Sequence, residues 1–232
     1  MNKQLSLSIR MNDSATLNDF CWKNNELLKD TIENTLHKKN PDSRFLTFWG
    51  NQGSGKSHLL QACCHAMQQD NTAIYLPLKM LYEWGPESLE GIEDQALVTL
   101  DDIHFIAGNL AWEEAIFHLY NKIRDQGKTI LIISSELALN ALRMRLPDLR
   151  SRLSWGLVLP LHELDDESKI ETLKDSALKK GFHLSETVAH FLVSRCTRNM
   201  HDLNEVLNQL DEASLSAQRK ITIPFVKAVL GL

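Results

Sequence analysis

At 232 residues, with 43% hydrophobic and 24% charged side chains, the chain has the balance of a folded globular protein, which excludes wholesale disorder. No run approaches the ~18 apolar residues of a membrane span, and Met1-Asn2-Lys3-Gln4 lacks the apolar core of a secretory leader, so no membrane association and a cytoplasmic location are expected. The net charge of −5 argues against a domain whose main business is coating nucleic-acid phosphates.

In chain order, Gln4-Leu5-Ser6-Leu7-Ser8-Ile9 alternates polar and apolar residues, and Arg10 to Thr16 is polar and without pattern. Asn25 to His37 has helical spacing, and Arg44 to Trp49 is a short apolar strand. A glycine-rich turn, Gly50 to Ser57, precedes a helix over His58 to Gln69. Thr72 to Pro77 and Gln95 to Leu100 are two more strands, the latter running into Asp101-Asp102. Trp112, Ala115, Ile116, Leu119, Tyr120 and Ile123 fall on one helical face. Thr129 to Ser134 is a β-branched strand and Leu157 to Leu161 a last one.

Strands alternating with helices predict βαβ units and a mostly parallel sheet. After Leu161 the character changes. The acidic start Glu163 to Ser168, then the apolar faces of Ile170/Leu173/Ala177, Val188/Phe191/Leu192, Leu203/Val206/Leu207/Leu210 and Phe225/Val229/Leu232, predict four helices and no strands. The expected organisation is a tail over 1–16, an α/β domain over 17–162 and a small all-α domain over 163–232. The four cysteines, Cys21, Cys63, Cys64 and Cys196, show no C-x-x-C pair or zinc spacing and read as buried free thiols.

Gly50-Asn51-Gln52-Gly53-Ser54-Gly55-Lys56-Ser57 fits the phosphate-loop pattern G-x-x-x-x-G-K-[ST]. Its glycines let the backbone wrap a phosphate and aim N–H groups inward. Lys56 would reach the β- and γ-phosphates, Ser57 would ligate magnesium, and the following helix would offer its positive end. With glycine at about 7% of residues in an average protein, a chance match in this length is roughly a one-in-a-hundred event. Leu97 to Asp102 has the form of a Walker-B strand, placed 51 residues after Gly50. Asp101 would hold magnesium and Asp102 would orient an attacking water. Arg143, Arg145, Arg150 and Arg152 crowd four guanidiniums into ten residues. Spacing alone leaves open whether they are a solvated patch or include an arginine finger.

Together with the phosphate loop, three segments carry a resemblance: Leu100 to Gly108, Ile132-Ile133-Ser134-Ser135, and Leu149-Arg150-Ser151-Arg152-Leu153-Ser154-Trp155-Gly156-Leu157. They resemble the AAA+ region of the bacterial initiator DnaA, and Ala217 to Lys227 looks like the end of its small regulatory homologues, so the resemblance covers essentially the whole chain. It implies a P-loop AAA+ αβα sandwich with a parallel five-stranded sheet and a helical lid, binding ADP or ATP with Mg²⁺. Asn25 would fall near the adenine, with Gly50, Gln52, Gly53, Ser54, Gly55, Lys56, Ser57, His58 and Asp101 around the phosphates. Ser134 and Ser135 would end the sensor 1 strand, with Glu136 where the initiator usually has aspartate. Arg152 matches the family's finger. His201 stands in place of the usual sensor 2 arginine, a departure that predicts little turnover of the chain's own nucleotide.

In this family context the tail resembles the motif that docks on the DNA polymerase III β sliding clamp, with Gln4 hydrogen-bonding and Leu5, Leu7 and Ile9 as anchors. Anchors at about 2 kcal/mol each give a weak site before ordering losses. Two tails of a homodimer on one ring would gain from effective concentration. The resemblance thus implies a clamp-tethered regulator acting on DnaA, with DNA contacted mainly through the clamp. An autonomous ATPase of the helicase-loader kind is the alternative. A truncated initiator is disfavoured, because the sequence after the lid leaves no helix-turn-helix domain.

Overall fold

The computed structural model describes residues 15–37, 44–68, 72–196 and 200–232. They form two compact units, one containing residues up to 51 and 56–161, the other 52–55 and 162–232.

The first unit is built on five parallel strands: β1 (Phe45–Trp49), β2 (Ala73–Pro77), β3 (Leu97–Asp101), β4 (Ile130–Ser135) and β5 (Leu157–Pro160), in the order β2-β3-β4-β1-β5. Every residue of β3 and β4 is buried, as strands covered on both faces require. Alternation divides their side chains. Leu97, Ile130 and Ile132 pack with Leu28 and Ile32 of α1 (Glu26–Leu36) and Leu59 and Leu60 of α2 (Lys56–Gln68). Val98, Leu100, Leu131 and Ile133 face the opposite layer. That layer contains α3 (Leu78–Leu81), α4 (Leu110–Gln126) and α5 (Pro147–Leu153). The architecture is the expected αβα sandwich.

Register sets the functional edge. Trp49 is level with Ser135, and Leu100 with Ile133, so Gly50, Asp101-Asp102 and Ser134-Ser135 leave the sheet at its carboxyl edge. In open parallel sheets ligands bind beyond this edge. Gly50 N–H donates to Ser135 O at 3.1 Å and fixes the start of the glycine loop there.

The second unit holds α6 (Asp166–Lys179), α7 (Glu186–Arg195), α8 (Met200–Ala217) and α9 (Ile223–Leu230) around Leu173, Leu192, Leu203, Leu207 and Leu210, all fully buried. Asp165, Ser185 and Thr222 cap α6, α7 and α9 by accepting from Ser168, Val188 and Phe225 N–H.

Helices α2, α3 and α5 differ from the sequence reading, and α3 is a single turn that the sequence did not suggest. Helix α2 starts at Lys56 rather than His58, so the lysine and serine of the loop already belong to its first turn. Helix α5 has seven residues, too few for periodicity to reveal, although Pro147 opens it. Cys63 and Cys64 are buried free thiols, and burial raises the Cys64 pKa to about 11, whereas Cys21 and Cys196 are only half-buried.

Strand β5 approaches β1 so closely at Gly156 that a Cβ there would lie 2.4 Å from Phe45 O. Overpacking against main chain costs roughly 1–3 kcal/mol. Gly156→Ala is therefore expected to lower the melting temperature by about 2–4 °C for each kcal/mol lost, read by calorimetry. An unchanged melting temperature would contradict this packing.

Candidate nucleotide site

The glycine loop joins β1 to α2, with Gly53 at φ 84° and Gly55 at φ 97°. In this left-handed region a Cβ is disfavoured, so the glycine spacing reflects a backbone need. Lys56 is buried, and its Nζ donates to Gly50 O at 2.9 Å and Asn51 O at 3.0 Å. The ammonium thus lies along the loop backbone. Gly50 is buried and Gln52 exposed, while Ser57, in the first turn of α2, is also exposed.

Asp101 ends β3 with its carboxylate buried and doubly held. Tyr75 of β2 donates its hydroxyl to Oδ2 at 2.6 Å, and Ser134 of β4 donates to Oδ1. Ser57 and Gln61 of α2 are further side-chain hydrogen-bond partners of the Tyr75 hydroxyl. Burial, with the Asp101 charge beside it, raises the Tyr75 pKa, so the phenol keeps the proton it donates. Tyr75 thereby links the Walker-A serine to the Walker-B aspartate. Sequence reasoning did not single it out: a tyrosine inside an apolar strand reads as core.

Asp102 takes the left-handed conformation, φ 59° and ψ 53°, and its N–H donates to Ser134 Oγ at 2.8 Å. That turn directs Asp102 away from the strand axis, where His104 Nδ1 lies 3.8 Å from its Oδ1. His104 Nδ1 accepts the Glu136 N–H at 3.2 Å, and Nε2 lies 3.4 Å from Glu136 Oε2. A ring that accepts at Nδ1 carries its proton on Nε2, toward the Glu136 carboxylate. Burial and then the Asp101 charge push the Asp102 pKa up.

The segment before α1 packs beside α2. Phe20 lies 4.6 Å from the Trp22 ring and 5.9 Å from the His58 ring. Asn25 is buried at the start of α1 and donates from Nδ2 to Lys23 O at 3.2 Å. Burial lowers the His58 pKa and keeps the ring neutral.

Lys56, Ser57, Asp101, Asp102 and Ser134 are thus brought together at one edge, with Asn25 and His58 on elements alongside. Arg152 lies on α5, its Cζ 4.1 Å from the centre of the Trp155 ring, which is 64% exposed. His201 belongs to α8, but its side chain lies outside what is described. Gln4, Leu5, Leu7 and Ile9 also lie outside the described residues.

The donors present fit a magnesium nucleotide. Lys56 supplies a buried cation beside the loop, whose Ser54 Oγ, like His58 Nε2 in the first turn of α2, is a buried polar atom with no partner among the described residues. The Ser57 hydroxyl and Asp101 carboxylate are hard oxygen donors of the kind magnesium takes. Both Asp101 oxygens accept a hydroxyl, and each keeps a further lone pair.

Two family models match: the bacterial DnaA ATPase domain over residues 88–160 and the lid domain of Hda over residues 166–230. An uncharacterized protein of Haemophilus influenzae is 47% identical over 234 residues, covering all of both chains. Domain III of the Thermotoga maritima initiation protein DnaA superposes with a TM-score of 0.78 at 20% identity, over 96% of this chain and 98% of that one. DnaA from Aquifex aeolicus, in a structure bound to AMPPCP, gives 0.71 at 21% identity, over 89% of this chain and 67% of that one. Fold and site define an AAA+ module. The chain belongs to the Hda/DnaA-like family of such modules.

The raised Asp102 pKa has a sign that can be checked. A carboxyl that ionises less readily when folded destabilises the fold once pH exceeds its unfolded value, and costs nothing when protonated in both states. Asp102→Asn, which also tolerates the left-handed turn, is expected to raise the melting temperature at pH 7. The gain should shrink as pH falls below the ordinary carboxylate range. A gain independent of pH would show that ionisation is not its source.

Proposed function

We propose that this protein is a clamp-tethered negative regulator of replication initiation. It binds an adenine nucleotide and lends Arg152 to ATP held by the initiator DnaA, leaving inactive ADP-DnaA. The observation that carries the reading is the placement of Arg152. Among the described residues its guanidinium has no carboxylate partner and stacks instead on an exposed indole. Stacking costs the charge little and leaves the planar edge of N–H donors available to a phosphate. A salt-bridged structural arginine would have spent those donors.

Lys56 and the loop N–H groups would hold the chain's own nucleotide, ADP or ATP, and a Mg²⁺ ion would supply charge neutralisation there. Ser57 and Asp101 would hold that ion. Asp102, set on a left-handed turn beside Asp101, would orient the attacking water. With histidine at position 201 on the lid, own turnover is expected to be slow, and the useful chemistry occurs in trans. In the partner's site Arg152 would stabilise charge that develops on the γ-phosphoryl group in the transition state. The domain limits 1–16, 17–162 and 163–232 follow the same reading: tether, nucleotide domain and lid. So do the β sliding clamp as anchor, DNA contacted through the clamp, a homodimer and a cytoplasmic location.

Four variants test three separate parts of this reading. Arg152→Ala should leave folding, nucleotide affinity and clamp binding intact, and lower stimulation of DnaA-bound ATP hydrolysis by about 10³-fold or more, as loss of a finger does. Arg152→Lys should restore little, since a point charge does not reproduce the fork. Full stimulation by folded Arg152→Ala would refute the finger. Lys56→Ala should weaken adenine-nucleotide binding in calorimetry. Alanine at Gln4, Leu5 and Leu7 should abolish clamp pull-down without moving the melting temperature.

A further inference from the structure

Glu113 lies in the first turn of α4 and has no accessible surface. A carboxylate so placed is costly unless every lone pair it turns inward is answered. Here the answer is backbone rather than a cation. Oε1 accepts Gly108 N–H at 2.7 Å and Arg145 N–H at 3.1 Å, and Oε2 accepts Leu146 N–H at 2.6 Å.

The donors belong to two loops. Gly108 closes the loop that follows Asp101-Asp102, and Leu146 is the N-cap residue of α5, whose own side chain caps nothing. One carboxylate from α4 therefore anchors the backbone that leads into α5, through the N-cap residue and the one before it, and ties it to the Walker-B loop. Leu149 and Leu153 are buried and hold the inner face of α5. With its start and inner face both fixed, a seven-residue helix has little freedom to rotate.

The geometry points to Glu113 as the positioning residue for Arg152: by pinning Arg145 and Leu146 it fixes where α5 delivers the guanidinium. This rests on the reading of Arg152 as a finger acting in trans. A glutamine at 113 keeps the size but turns an NH₂ group against a backbone N–H, so at least one of the three bonds is lost. The result is a looser α5 with the arginine still present. A displacement near 1 Å can cost on the order of 10²-fold in rate.

The test uses the full chain with ATP-bound initiator and DNA-loaded clamp, comparing Glu113→Gln, Arg152→Ala and the double variant. Glu113→Gln is expected to lower the maximal stimulated rate by about 10²-fold. The concentration giving half-maximal stimulation and the chain's own nucleotide affinity should stay within about twofold, the usual range for uncoupled sites. The double variant should be no slower than Arg152→Ala alone, because a residue that acts through Arg152 has nothing left to position. A normal rate for folded Glu113→Gln, or a further loss on top of Arg152→Ala, would overturn the proposal while leaving the finger intact. Full stimulation by Arg152→Ala would overturn both. If Glu113→Gln does not fold, hydrogen exchange in the unaltered protein decides. The Arg145 and Leu146 amides should exchange as slowly as those inside α4, and exchange at open-loop rates would overturn the proposal.

Discussion

The carboxylate of Asp101 is the point on which the nucleotide edge depends. It is buried at the end of β3, it accepts from Tyr75 on β2 and Ser134 on β4, and Tyr75 reaches on to Ser57 of α2. Four elements are therefore registered by one anionic group and its hydroxyl donors. Hydrogen bonds to an ionised acceptor are about twice as strong as neutral ones. Breaking them would leave a buried charge unanswered, so the arrangement is held by the cost of its alternatives. Ser134 then serves twice, donating to Asp101 and accepting from the Asp102 N–H, and this holds the strained turn that points Asp102 elsewhere.

Much of this was readable in the sequence because it depends on backbone demands that few residues satisfy. The glycines at 53 and 55 are in left-handed conformations, and no other residue type adopts those as readily. The apolar runs of β3 and β4 are those of strands covered on both sides, and the amphipathic spacing of α4 gave its inner face directly. What escaped has equally definite causes. Tyr75 lies in a strand whose neighbours are apolar, and nothing local distinguishes a tyrosine that fills a core from one whose hydroxyl bridges two motifs. Glu113 occupies a first-turn position where an acid is expected for the helix dipole alone. Two of its three partners lie 32 and 33 residues away in sequence, beyond any local pattern.

The same contrast separates Arg152 from Arg143, Arg145 and Arg150. Four arginines in ten residues look alike in sequence. In the fold Arg152 is the one half-buried beside an indole, whereas the other three are exposed. A buried anion at Asp101 organises the chain's own nucleotide edge, and a second at Glu113 organises the helix that carries the arginine. In the proposed function the first would serve a nucleotide held by this chain and the second one held by a partner.

The most direct measurement is the fate of labelled ATP on purified initiator DnaA, followed through a single turnover with and without this protein and with and without DNA-loaded clamp. The account predicts rapid conversion to ADP only when protein and loaded clamp are both present, and a slow basal rate in every other mixture. Conversion at the basal rate in the complete mixture, with both proteins folded and nucleotide-bound, would contradict it.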